Sequence, residues 1–128
     1  MVVLTVGGIR AAFGAFGLAV AVIAAASAGQ PDRRVITLHA ERFAFTPSRI
    51  AMAPGEEVEL RIKSADTSHG FRIVGTGTNV TIPKRGKGNI SVVIRLDEPG
   101  TYTFECSRMC GAGHHFMRGE IVVKARGQ

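Results

Sequence analysis

Gly100-Thr101-Tyr102-Thr103-Phe104-Glu105-Cys106-Ser107-Arg108-Met109-Cys110-Gly111-Ala112-Gly113-His114-His115-Phe116-Met117 runs from an alternating, strand-like segment straight into a loop. Tyr102, Phe104 and Cys106 fall on one side of that strand, because side chains alternate across it. The loop holds both cysteines of the 128-residue chain, spaced C-x3-C-x3-H-x2-M. Thiolates and a thioether are soft donors and imidazole is a borderline one, a set that suits a soft transition metal and copper–thiolate chemistry in particular. The competing reading of Cys106 and Cys110 is a disulfide, the usual fate of two cysteines in an exported chain. Such a bond would close only a small loop and remove little chain entropy, and it would leave His114 and Met117 unexplained.

The segments on either side of this loop are built in the same way. Ile36, Leu38 and Ala40 alternate with polar residues, as do Val58, Leu60 and Ile62. Ile90, Val92, Ile94 and Leu96 repeat the pattern with Val93 as the exception, and Gly119 to Lys124 supply a closing strand. Each run offers one face to a core. Pro54-Gly55 and Pro99-Gly100 are turn dipeptides. No apolar stripe after residue 30 holds a helical period, so the expected fold is an all-β sandwich of about seven strands in two sheets.

The first thirty residues differ in kind. Apart from Arg10, Met1 to Gly29 carries no charge, and Ala11 to Gly29 is an unbroken run of apolar or small residues. Residues 1–30 are expected to form a hydrophobic helix that serves as a signal peptide or a membrane anchor, with 31–128 as the folded domain. Ala26-Ser27-Ala28 has the form of a cleavage site. Both outcomes place the domain outside the cytoplasm, in the periplasm or on the outer face of the cytoplasmic membrane.

The chain carries 16 basic and 10 acidic residues, a formal net charge of +6. Its cations are scattered, without a recognition helix or interleaved stacking aromatics, and this excludes nucleic acid as the expected partner. A basic face that meets an acidic partner protein or anionic lipid head groups fits the pattern better, and a merely solvated surface fits it best.

Asp66-Thr67-Ser68-His69-Gly70-Phe71 interrupts two strand-like runs and places His69 in a loop that must fold back to reach the cysteines. Asp66 is either a hydrogen-bond partner for that histidine or a turn former. His115 and Met109 adjoin better-placed donors and are expected to point away, and His39 has no chemistry nearby. Phe116, Phe71 and Tyr102 are expected to be core or shielding hydrophobes.

His69 together with the Cys106–Met117 loop resembles the cupredoxin family. The second cysteine resembles, more narrowly, the CuA centre of cytochrome c oxidase subunit II and of nitrous-oxide reductase. The likeness runs through residues 36 to 124 and is densest at Ser64–Phe71, Glu98–Tyr102 and Glu105–Met117. It implies a cupredoxin-like Greek-key β-sandwich that binds two copper ions in a binuclear centre and transfers electrons without being a catalyst by itself. By that resemblance Cys106 and Cys110 bridge the metals, and His69 and His114 are the terminal imidazoles. Met117 and the backbone carbonyl of Arg108 are the weak axial donors.

The implied partners are a redox protein, either a cytochrome or another copper protein that is not strongly basic, and the catalytic subunit of a haem-copper oxidase. A free-standing exported electron shuttle or copper-delivery protein is the alternative. The family usually carries a glutamate at the position of Arg108, where it helps to bind magnesium, and it usually exposes a tryptophan. This chain has a cation at the first position and no Trp anywhere.

Overall fold

Alternation of β-branched and polar residues produces two long neighbouring strands, β1 (Arg34–Glu41) and β4 (Glu57–Ser64), in the computed structural model. The structure describes residues 32–125 and Gly127; the expected N-terminal hydrophobic helix lies outside the described residues. Val58, Leu60, Ile62 and Ser64 are buried while Glu57, Arg61 and Lys63 are exposed, as a period of two requires. β1 and β4 pair in parallel, with Leu38 opposite Ile62. β7 (Ile90–Arg95) pairs antiparallel to β4, with Val92 opposite Leu60. Val93 is exposed, in keeping with its break from the pattern. A three-residue strand, β2 (Ala44–Thr46), folds back on β1 and completes a sheet of order β2-β1-β4-β7.

The second sheet contains β3 (Arg49–Met52), β5 (His69–Ile73), β6 (Asn79–Ile82), β8 (Gly100–Glu105) and β9 (Arg118–Val123), in the order β3-β9-β8-β5-β6. The chain crosses repeatedly between the sheets, and their inner faces share one core. Described residues therefore form nine strands rather than about seven. The additional strands are short: β2 has three residues and β3 and β6 have four each, too few for alternation to register in sequence.

At one turn, Gly55 adopts φ 72°, a conformation that disfavours a side chain, and its N–H donates to the Leu96 carbonyl at 2.9 Å. This ties the β3–β4 turn to the end of β7, at the pole away from the cysteine loop. No helix among the described residues is long and apolar enough to cross a membrane.

Phe45, Phe71 and Phe104 form a triangle in the core, with ring centroids 5.4–5.9 Å apart and two of the three contacts edge-on. Phe71 lies two residues after His69 and Phe104 two residues before Cys106, so each faces inward with its neighbouring donor. The aromatic triangle therefore fixes the floor on which the donors stand.

Candidate metal centre

Three local devices deliver the donors. His69 opens β5 with its ring completely buried. Cys106 follows directly on β8, Met117 directly precedes β9, and the Cys106 N–H donates to the Met117 carbonyl at 2.9 Å, closing the loop at its neck. Within the loop, His114–Phe116 form one 3₁₀ turn, with the Met117 N–H donating to the His114 carbonyl at 3.2 Å. At three residues per turn, positions i and i+3 eclipse. His114 and Met117 therefore share the inward side, which is the structural meaning of the H-x2-M spacing.

The two sulfurs, Cys106 Sγ and Cys110 Sγ, lie 3.8 Å apart, and both cysteines are buried and free. A disulfide needs a separation of about 2.05 Å, so the structure holds two thiols. His69 Nδ1 lies 3.9 Å from Cys106 Sγ, and His114 Nδ1 lies 3.7 Å from Cys110 Sγ. The Arg108 carbonyl oxygen is 3.0 Å from Cys106 Sγ, and Met117 Sδ is 3.8 Å from Cys110 Sγ. The structure thus brings all six expected donors to one place. His69, Cys106 and Cys110 have ligand atoms that all lie within 4.8 Å of one another.

Donors sharing an ion at about 2.0–2.3 Å must lie within about 4.6 Å of each other. The sulfur–sulfur and sulfur–nitrogen separations meet that requirement. Thiolate, imidazole and thioether together select copper over harder cations.

Asp66 takes the hydrogen-bonding role. Its Oδ1 accepts from His69 Nε2 at 2.7 Å, which leaves Nδ1 free to face the sulfurs. Its Oδ2 accepts the backbone N–H of Arg42 at 2.9 Å. Burial by itself would raise the Asp66 pKa, but the hydrogen bonds from His69 and from the Arg42 and Thr67 N–H groups outweigh it and hold the carboxyl down at about 2. Burial, reinforced by Cys106, pushes the Cys110 thiol up to about 11. A bound cation is then what makes the thiolate accessible at neutral pH.

Several neighbours were not legible as parts of the site. Arg42 Nε donates to the Cys110 carbonyl at 2.6 Å across 68 residues of chain, and the adjoining Phe43 covers Gly111 and Gly113. Gly70 donates its N–H to Cys106 Sγ at 3.5 Å, and its missing side chain leaves room for Ser107 and Arg108. The glycines were visible in the sequence, but their distant partners were not.

Met109, His115 and His39 are exposed, as expected for residues that are not donors. Phe71 is core, and Tyr102 is half-buried with its hydroxyl donating to the Glu98 carbonyl at 3.0 Å. Phe116 corrects the expectation of a shielding hydrophobe, since it is 80% exposed. The same 3₁₀ turn that aims His114 and Met117 inward sends Phe116 outward.

Residues 14–123 match the Cupredoxin-like domain family. Two cytochrome c oxidase subunit 2 sequences from Thermus thermophilus are each 36% identical to this chain over 95 residues, or 73% of it. The match spans 68% of one relative and 55% of the other. A cryo-EM structure of a heme-copper terminal oxidase dimer superimposes with a TM-score of 0.63 at 29% identity, covering 73% of this chain and 66% of that one. The chain belongs to the cupredoxin family, as a CuA-type member resembling the copper-binding domain of cytochrome c oxidase subunit II.

Proposed function

We propose that this domain transfers electrons through a binuclear copper centre, as the subunit-II-like component that passes electrons from a donor protein to a haem-copper oxidase. One observation carries the reading: two buried sulfurs 3.8 Å apart, each with an imidazole nitrogen of its own at 3.9 and 3.7 Å. Each sulfur also has its own weak donor, the Arg108 carbonyl for Cys106 and Met117 Sδ for Cys110. A mononuclear site has no use for this duplication.

When bound, copper supplies the one-electron couple. The chain's own residues hold the donor positions fixed. β5, β8 and β9 anchor the ends of the donor segments, Asp66 sets the His69 ring, and Phe71 and Phe104 keep water from the floor. A site built on strands changes little between oxidation states, which favours fast transfer. Under this reading the domain lies outside the cytoplasmic membrane, with residues 1–30 as its signal or anchor.

The experiment is metal analysis of the copper-loaded full chain alongside Cys110→Ser. Two coppers per chain, with loss of the two-metal stoichiometry in the variant, supports the reading; one copper in both sinks it.

Exposed Arg108, in the position where the resemblance leads one to expect a glutamate, favours a second reading. In that reading the domain is a free-standing exported electron shuttle or copper-delivery protein. Co-purification with a haem-containing membrane protein separates the two.

A further inference from the structure

The two most exposed large hydrophobic residues among those described are Phe116, at 80%, and Met109, at 70%. Both project from the 106–117 loop, whose neck is closed by the Cys106–Met117 hydrogen bond. His114 is only half-buried in the same loop, whereas His69 is fully enclosed. The surface around Phe116 therefore lies over the imidazole with the shorter path to solvent. Beside it a cavity of about 370 Å³ is lined by His114, His115, Ser107 and Arg118.

Charge is distributed unevenly between the poles of the sandwich. At the pole away from the loop, Arg33, Arg34 and Arg95 are neutralised by Glu57, Glu56 and Asp97. At the loop's own pole Arg72 is held by Glu105, but the cations of the β6–β7 segment and at the ends of the loop lack such partners among the described residues. The segment joining β6 to β7 lies there, because Ile82 stands opposite His69, Ile90 opposite Ile62, and the Arg85 N–H donates to the Asp66 carbonyl at 3.0 Å. It carries Lys84, Arg85 and Lys87, all exposed.

Arg108 and Arg118 flank the apolar pair in sequence, and none of these five cations is ion-paired among the described residues. The carboxylates at this pole are Glu41, Asp66 and Glu105; Asp66 is taken up by His69, and Glu105 by Arg72. An apolar centre within an unpaired cationic margin is the complement of an apolar contact with an acidic margin.

We propose that this pole docks a redox protein with an acidic contact surface, the Met109–Phe116 patch seating against its apolar centre and the Lys84–Lys87 segment steering the approach. The proposal rests on the electron-transfer reading and names the class of protein that exchanges electrons at that site.

The test uses the full copper-loaded chain in neutral detergent, with a reduced acidic c-type cytochrome and a reduced basic one as probes. Electron transfer from the acidic cytochrome is expected to be at least about 10-fold faster at low salt, and to lose that advantage as ionic strength rises. The pair Lys84→Glu/Lys87→Glu should remove the advantage with the copper spectrum unchanged. Phe116→Ser should slow transfer at every salt concentration, and Asp97→Lys, at the far pole, should leave the rate as it was.

Equal rates for the two probes, or a double variant that behaves like the parent, overturns the proposal. Salt-sensitive binding to phosphatidylglycerol vesicles that the double variant loses, together with equal cytochrome rates, assigns the face to anionic lipid and also overturns it. Docking is read separately by salt-dependent NMR shifts of the acidic cytochrome. Shifts without any copper uptake would reject the electron-transfer reading and keep the docking face, whereas a copper-loaded, reversibly reduced chain that causes no shifts would do the reverse.

Discussion

The carboxylate of Asp66 accepts a 2.7 Å hydrogen bond from Nε2 of the fully buried His69, so that Nδ1 of the same ring faces Cys106 Sγ at 3.9 Å. Partners that orient a metal-binding histidine typically change metal affinity by about 10–100-fold. Asp66→Ala is expected to weaken copper binding by about that factor, and Asp66→Asn, which keeps an acceptor oxygen, by less. Competition with a chelator of known affinity measures both. Equal affinity of Asp66→Ala and the parent would show that the ring is held by packing alone.

Gly113 lies against Phe43 so closely that a Cβ built on it would fall 2.2 Å from the Phe43 ring. Its φ of −90° suits any residue, so the restriction is steric rather than conformational. Gly113→Ala is expected to cost about 1–3 kcal/mol, the usual cost of overpacking. Combining it with Phe43→Ala should recover part of that loss, because residues in contact are coupled. Denaturant unfolding of both single variants and the double variant gives the answer, and strict additivity would contradict the contact.

A Cβ on Gly70 would lie 2.8 Å from the Arg108 backbone nitrogen and 2.9 Å from that of Ser107. Backbone yields less readily than a side-chain tip, so Gly70→Ala should push the 107–108 segment, and with it the Arg108 carbonyl, away from Cys106. The expected outcome is a shifted copper absorption spectrum in a protein whose far-ultraviolet circular dichroism is unchanged. An unchanged copper spectrum contradicts the close approach.

Phe104 closes the aromatic triangle beneath Cys106, fully buried and 5.4 Å from each of the other two rings. Phe104→Ala should destabilise the domain by about 3–5 kcal/mol through lost burial and the cavity left behind. Urea unfolding that showed a loss below about 1 kcal/mol would mean that this part of the core collapses to fill the space.

These relationships divide by how local they are. Alternation along Val58–Ile62 and Tyr102–Cys106 stated which faces are buried, because a strand writes its burial pattern into every second residue. The donors of the loop were legible for a similar reason, since one 3₁₀ turn converts the His114–Met117 spacing into a shared face. β2 is three residues long and held by pairing with β1, so its pattern was too short to read. The Arg42 and Phe43 contacts on the loop span about seventy positions and leave no periodic trace. The outward turn of Phe116 required knowing the sense of the helical turn, and hydrophobicity alone pointed the other way.

In the proposed centre, Cys106 and Cys110 would hold two copper ions that share one electron. Electron paramagnetic resonance of the copper-loaded, partly reduced chain tests it most directly. A hyperfine pattern from one unpaired electron divided equally between two copper nuclei, abolished by Cys110→Ser, is the expected result. A pattern from a single copper nucleus in the parent chain would contradict it.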